Sequence, residues 1–193
     1  YLTGVVDEND LVILGGWPGG KLRQVLGIWD EEIDALYEND RNAAVPCTDN
    51  VLGLAGEYEL RDYCALVHPE SAAVLATYKR DFYAGRPVLT VNAYGSGKAY
   101  YLASNPDDRF LRDFYGALAA KLSLLRSLDA ELPHGVSAQL RTDGETKYVF
   151  LMNFNAEPVT VDLGAVTYTD LLTGAALCGV VELDVYDVKV LLA

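Results

Sequence analysis

The sequence predicts an α/β region followed by an all-β region, and three observations carry that prediction. Up to about Leu128 helical and extended periods alternate. From Asp129 to Ala193 there is no 3.6-residue period, only short apolar stretches separated by turn signals. Between them lies Asp129-Ala130-Glu131-Leu132-Pro133-His134-Gly135, a linker that carries both Pro and Gly. The expected domains are therefore 1–128 and 129–193. A chain of 193 residues suits one ordinary domain or two small ones, and 51% hydrophobic with 22% charged residues is the composition of a packed fold.

The elements follow in order. Leu11-Val12-Ile13-Leu14 is a short apolar run that stops at Gly15-Gly16, as a buried strand entering a tight turn would. Leu22, Val25 and Leu26 then share one helical face, with Gly27 placed to end the helix. Glu57 to Val67 and Ala73 to Tyr78 read as strands. Pro87 to Tyr94 and Lys98 to Ala103 form a hairpin around a three-residue loop, Gly95-Ser96-Gly97. Asn105 is the expected N-cap of the clearest helix, with Pro106 at its first position and Asp107 and Asp108 in its first turn. Phe110, Leu111, Phe114, Tyr115, Leu118 and Leu122 then recur three and four apart, a wide apolar stripe for packing on a sheet. After the linker, Val136–Arg141, Lys147–Phe154, Val159–Leu163, Thr167–Leu172, Val180–Val185 and Val188–Leu192 read as six strands of a small antiparallel sandwich.

Several function classes fall away on composition. Fifteen Lys and Arg against 28 Asp and Glu give a net charge of −13, which repels phosphate backbones and argues against a nucleic-acid partner. Cys47, Cys64 and Cys178 are an odd set without CxxC spacing, and two histidines are too few for a His-rich metal cluster. No apolar run is long enough for a membrane span and no signal-peptide pattern opens the chain, so the expected location is cytoplasmic, with no membrane partner. The start at Tyr1, inside what reads as a strand end, suggests a piece of a longer protein.

Each candidate for chemistry has a plainer competitor. Tyr94-Gly95-Ser96-Gly97-Lys98 resembles a phosphate loop but has Asn92 and Ala99 where that motif needs Gly and Ser or Thr, so a hairpin turn is the better reading. Gly15-Gly16-Trp17-Pro18-Gly19-Gly20 lacks the GxGxxG register and is interrupted by Pro18. Asp7, Glu8 and Asp10, then Asp30, Glu31 and Glu32, then Asp107 and Asp108 offer the paired carboxylates that glycoside hydrolysis or a hard cation would use. Adjacent acids are more often simply solvated. Cys64 and His68 could form a thiolate pair on a helix, but on a strand four residues span roughly 13 Å, which favours a core thiol and a strand-end imidazole. No Ser sits in a GxSxG elbow. Thirteen Tyr, among them Tyr58, Tyr63, Tyr78, Tyr83, Tyr94, Tyr100 and Tyr101, could line a sugar platform, although core and subunit contacts use Tyr as readily.

Several strings together resemble the C-terminal half of bacterial β-galactosidases of glycoside hydrolase family 42. They are Thr3-Gly4-Val5-Val6-Asp7-Glu8-Asn9-Asp10, Leu14-Gly15-Gly16-Trp17-Pro18-Gly19, Leu26-Gly27-Ile28 with Glu32-Ile33-Asp34, Asp81-Phe82-Tyr83-Ala84-Gly85-Arg86-Pro87, Gly95-Ser96-Gly97-Lys98-Ala99-Tyr100-Tyr101 and Tyr148-Val149-Phe150-Leu151-Met152-Asn153-Phe154-Asn155. The resemblance implies a parent that hydrolyses terminal β-galactosides with retention, its catalytic glutamates lying in an N-terminal (β/α)8 barrel absent from this chain. It also implies that residues 1–128 are the later part of a trimerisation domain with an amidotransferase-like, flavodoxin-like α/β fold, and 129–193 a C-terminal β domain. On this reading the chain holds no catalytic, cofactor-binding or metal-binding residue, needs no cofactor, and has copies of itself as partners, in a homotrimer in the parent. The rival is an autonomous carbohydrate-binding module gripping glycan through exposed tyrosines, and an exposed aromatic platform is what distinguishes the two.

Overall fold

The computed structural model describes Pro18 and residues 20–192, which fall into two compact units dividing between Ser123 and Leu124. The strand read at Leu11–Leu14 lies outside the described residues.

The first unit contains α1 (Gly20–Leu26), β1 (Ile28–Ala35), β2 (Asn42–Pro46), β3 (Tyr58–Pro69), β4 (Ala73–Tyr78), β5 (Pro87–Tyr94), β6 (Gly97–Leu102), β7 (Ser104–Pro106) and α2 (Asp108–Lys121). Helix α1 ends where the sequence places its stop. Gly27 has φ +63, and a Cβ there would stand 2.5 Å from Ser71 Oγ and 2.6 Å from Asn92 Cγ, so both backbone and space demand glycine. Asn92 Nδ2 donates to the carbonyls of Gln24 and Val25, satisfying the helix end from β5.

Strand β3 is the hub of a seven-stranded sheet. One of its edges takes β1, from Ile28↔Pro69 to Ala35↔Tyr63, and then β2, from Asn42↔Leu60 to Ala44↔Tyr58. The other takes β7, since Leu60 also faces Pro106 and Cys64 also faces Ser104. From β2 the sheet passes through β4 and β5 to β6. Ala103 joins β6 to β7, donating to Val88 O at 2.8 Å and accepting from Ala65 N at 2.8 Å. The sheet therefore closes into a ring around Leu60, Cys64, Leu75, Tyr78 and Leu89, all buried.

Every strand pairing in this unit is antiparallel among the described residues. Among the described residues this unit is β-rich, with two helices, a coarser picture than the flavodoxin-like α/β expectation. The physical reason for the antiparallel pairing is connection length. Parallel neighbours need a crossover of about a dozen or more residues, whereas β4 and β5 are joined by residues 79–86 and β5 and β6 by Gly95-Ser96 alone. That hairpin loop is two residues rather than the expected three, because Tyr94 pairs directly with Gly97. Gly95, at φ +57, takes the first central position of the turn.

Helix α2 also begins later than its sequence suggests. Asn105 and Pro106 belong to β7, and Asp107 is the N-cap, its Oδ1 accepting from Phe110 N at 2.8 Å and its Oδ2 from Glu59 N at 3.1 Å. Pro106 pairs with Leu60 to close the ring, which an early helix would prevent. Only half of the apolar stripe is used: Phe110 and Phe114 are buried, whereas Leu111, Tyr115 and Leu122 are exposed.

The second unit contains β8 (Val136–Thr142), β9 (Lys147–Asn153), β10 (Val159–Asp162), β11 (Tyr168–Asp170), β12 (Ala176–Leu177), β13 (Val180–Leu183) and β14 (Val188–Leu192). A five-stranded sheet in the order β12-β11-β14-β9-β8 faces a two-stranded sheet of β10 and β13, all antiparallel. Val149, Leu151 and Leu191 from the larger sheet meet Val161, Val181 and Leu183 from the smaller. Alternation of buried and exposed residues along β9 and β13 produces this core. Each of Leu151, Leu183 and Leu191, fully buried, contributes about 1.5–3 kcal/mol.

Candidate functional site

The chemistry-bearing residues of the first unit gather where β1 crosses β3. Trp29 lies opposite His68, and their rings stack at 4.2 Å with 7° between planes. His68 Nε2 lies 2.6 Å from Glu31 Oε2, and Arg86 Nη1 is 3.5 Å from the same nitrogen. Arg23 stands 6.0 Å from the Trp29 ring and holds Glu70 through two hydrogen bonds of 2.9 and 2.6 Å.

Asp30 turns the other way, into the core. Its Oδ2 accepts a long hydrogen bond from the Tyr101 hydroxyl at 3.4 Å, and its buried Oδ1 has no partner. Burial pushes the carboxyl up to about 6, only partly opposed by the Tyr101 hydrogen bond and the charge of His68. A carboxyl in that range suits general acid–base work, but such a group must reach its substrate, and Asp30 is walled in by its sheet.

The three-residue acidic cluster is thus divided by its strand. A register shift between Asp30 and Ile33 leaves Glu31 on His68 and Glu32 in solvent, while Asp30 is interior. Next along, Asp34 Oδ2 accepts from the Tyr83 hydroxyl at 2.7 Å, and burial first, this bond second, hold that phenol well above its usual range. Asp107 caps α2 and Asp108 lies in its first turn. Asp7, Glu8 and Asp10 lie outside the described residues, as does Gly15–Gly20 apart from Pro18 and Gly20.

Cys64 and His68 share β3 without meeting. Cys64 is buried beside Ser104, Sγ to Oγ 3.8 Å, and burial raises its thiol; His68 belongs to the Trp29 stack. Tyr94-Gly95-Ser96-Gly97-Lys98 is the hairpin turn. Of the tyrosines, Tyr58, Tyr78 and Tyr83 are buried, Tyr63, Tyr100 and Tyr101 half-buried, and Tyr94 exposed. Tyr58 donates to Asp113, and Tyr78 to the carbonyls of Ala65 and Ala103, so these hydroxyls stitch the fold.

A different cluster, at one end of the second unit, escaped the sequence reading. Asn153 is buried and uses its whole side chain. Nδ2 donates to the carbonyls of Glu157 and Asp184, and Oδ1 accepts from Asn155 N and Nδ2. Phe154 N donates to Gly135 O, Asn155 Nδ2 to His134 O, Tyr186 N to Asn155 O and Asn153 N to Asp187 O. Three loops are thereby fused into one surface. The signal was in the string Asn153-Phe154-Asn155, two amides flanking an aromatic at a strand end.

Comparison with known proteins follows this geometry along the chain. The family model "Beta-galactosidase trimerisation domain" matches residues 1–125, and "Beta-galactosidase C-terminal domain" matches residues 135–193. The β-galactosidase Pbg of Clostridium perfringens is 49% identical over 190 residues, covering 98% of this chain and 27% of its own length. A crystal structure of β-galactosidase from Bacillus circulans sp. alkalophilus superposes with a TM-score of 0.85 at 43% identity, over 100% of this chain and 28% of that one. Gan42B, a GH42 β-galactosidase from G. stearothermophilus, gives 0.82 at 41%, over 100% of this chain and 27% of its own. The chain therefore spans little more than a quarter of the proteins it matches.

Proposed function

The chain belongs to the glycoside hydrolase family 42 β-galactosidases, of which it matches the trimerisation and C-terminal domains, and we propose that it is a non-catalytic, assembly-forming part of a longer enzyme. The observation that carries this reading is the match of residues 1–125 to a domain described by its trimerisation. The parent hydrolyses terminal β-D-galactose from β-galactosides with retention, a reaction that needs two carboxyl groups about 5–5.5 Å apart across a substrate. Four acids of the first unit have other partners: Asp30 is interior, Glu31 engages His68, Asp34 holds Tyr83, and Asp107 caps a helix.

In this reading residues 1–128 form the later part of an amidotransferase-like domain, whose antiparallel ring extends an α/β portion, and residues 129–193 form the β domain. The division at Ser123 and Leu124 leaves Leu128 with the β domain's core. Copies of the chain are the partners, meeting through residues 1–128 in a homotrimer in the parent, and neither cofactor nor metal takes part. A cytoplasmic location fits three free cysteines, and no described helix is long and apolar enough to cross a membrane. Nitrophenyl galactoside offered to the chain at high protein concentration should not turn over. Turnover that survives repurification and is lost on changing Asp30 or Glu31 would overturn the non-catalytic role.

A further inference from the structure

The loop between β4 and β5, residues 79–86, turns an aromatic side chain out of the first unit. Its backbone is held from within: Tyr78 N donates to Arg86 O at 2.9 Å, Gly85 N to Tyr78 O at 2.8 Å and Ala84 N to Asp81 O at 3.0 Å. Asn42 holds it from β2, with Nδ2 donating to Arg80 O at 3.1 Å and Oδ1 accepting from Arg80 N at 3.0 Å. Tyr83 anchors the middle, fully buried and donating to Asp34. Its neighbour Phe82 is 74% exposed. Asp81 has φ +70 and its Oδ1 accepts from Phe82 N at 2.7 Å, so a left-handed residue and its own side chain fix the direction in which Phe82 leaves the fold.

A single exposed apolar residue is ordinary on a folded domain. The setting of Phe82 is not. Loop tips carry small and polar residues by preference, and this ring meets Tyr83 edge-on, 4.9 Å between centroids, with most of its surface left in water. Arg80 and Arg86 stand exposed in the same loop. Arg23, Arg41 and Lys79 each hold a carboxylate, of Glu70, Glu59 and Glu57. Arg80 and Arg86 instead meet Arg41 O and His68 Nε2, and among the described residues neither is ion-paired. Aromatic residues and Arg are the types enriched where proteins meet, and cations beside an aromatic anchor complement an acidic surface.

Charge and symmetry choose the occupant. The chain has a net charge of −13, so a second copy offers the acids that the two guanidinium groups lack. A ring of three copies closes through a heterologous contact, in which one patch meets a different patch on the next copy. A projecting aromatic suits that geometry, whereas a two-fold contact would bring knob onto knob. Residues 79–86 lie wholly within the region matched to the trimerisation domain.

We propose that Phe82, with Arg80 and Arg86, is the projecting half of a heterologous contact between copies of this chain, received by an acid-rimmed apolar patch of the next copy. This rests on the assembly reading above and adds to it which residues make the contact. The hydrogen bonds of the loop hold Phe82 in place beforehand, which lowers the ordering cost of association.

Light scattering over a wide concentration range on the unaltered chain, Phe82→Ser and Arg80→Glu tests the contact. The dissociation constant should rise at least about tenfold in both variants, with the Tm of Phe82→Ser within about 2 °C of the unaltered chain because the lost ring is exposed. Arg80→Glu reads the same contact through charge, with the Phe82 ring intact. A photo-reactive benzophenone side chain at position 82, in a mixture of isotope-labelled and unlabelled chain, then identifies the receiving surface. Adducts between copies that fall outside residues 79–86 support the heterologous contact; adducts within that loop, or none between copies, overturn it. An unaltered chain that associates, with Phe82→Ser associating equally well, sinks the loop contact alone. An unaltered chain that stays monomeric at every concentration sinks the assembly reading and this contact with it.

Discussion

Two aspartates, one in each unit, are almost equally buried and behave in opposite ways. Asp30 is 6% exposed and Asp170 2%. At Asp170, burial raises the carboxyl, but Thr173 Oγ1 at 2.7 Å, Leu172 N at 3.2 Å and Val190 N at 3.3 Å all donate to it and hold it below the usual range. Asp30 has one long bond and an oxygen with no partner, and it rises to about 6. Low exposure alone therefore does not set the charge of a carboxyl; depth of burial and the donors around it act together. The sandwich satisfies its buried acid with a threonine hydroxyl and two backbone amides, whereas the ring tolerates an unsatisfied one.

The largest way to break this contrast is Asp170→Ala, which removes the acceptor of three donors near β11 and β14. Denaturant unfolding should show a loss of about 3 kcal/mol at pH 7. A loss below about 1 kcal/mol would mean that those donors find water instead. Because the folded carboxyl lies below its unfolded value, this stabilisation is present above the unfolded pKa and is lost as the pH falls through the folded one.

Asp30→Asn should act in the opposite sense. A rise from 3.8 to about 6 corresponds to at most about 3 kcal/mol of penalty on the charged folded form. The folded state keeps its proton longer than the unfolded state, so stability on this account falls between about pH 4 and pH 6 and stays lower above. The amide should raise stability by about 1–2 kcal/mol at pH 7.5 and change little at pH 4.5, read as Tm at the two pH values. Equal effects at both would show that Asp30 is not protonated in the folded chain.

Asp107→Ala sharpens the comparison at a less buried acid that serves as acceptor for Phe110 N and Glu59 N. A loss of about 1 kcal/mol, measured by denaturant unfolding, is expected for a helix cap. Asn105→Ala, by contrast, should leave the start of α2 intact, since Asn105 lies in β7.

What the sequence could not reveal follows the same logic. Strands β4 and β5 were read to the residue because their apolar runs are bounded by turn residues. Strand β1 was hidden because Asp30, Glu31 and Glu32 break its alternation, and only pairing with β3 and the register shift sort one acid inward. The α2 cap was misplaced by two residues because Asn105-Pro106 has the local signature of a helix start; closure of the ring claims both for β7. The antiparallel pairing of the described strands was not legible because local periodicity does not specify strand direction. At the loop end, residues 153–157 and 184–187 are distant in sequence and are joined by hydrogen bonds of Asn153 and Asn155.

The central claim, that this chain assembles copies rather than cleaving bonds, is tested most directly by light scattering on the whole chain over a wide concentration range. The account predicts a mass rising above the 21.0 kDa of one chain, toward three times that value, with the trimerisation-domain match as its basis. A mass that stays at 21.0 kDa at every concentration would contradict it.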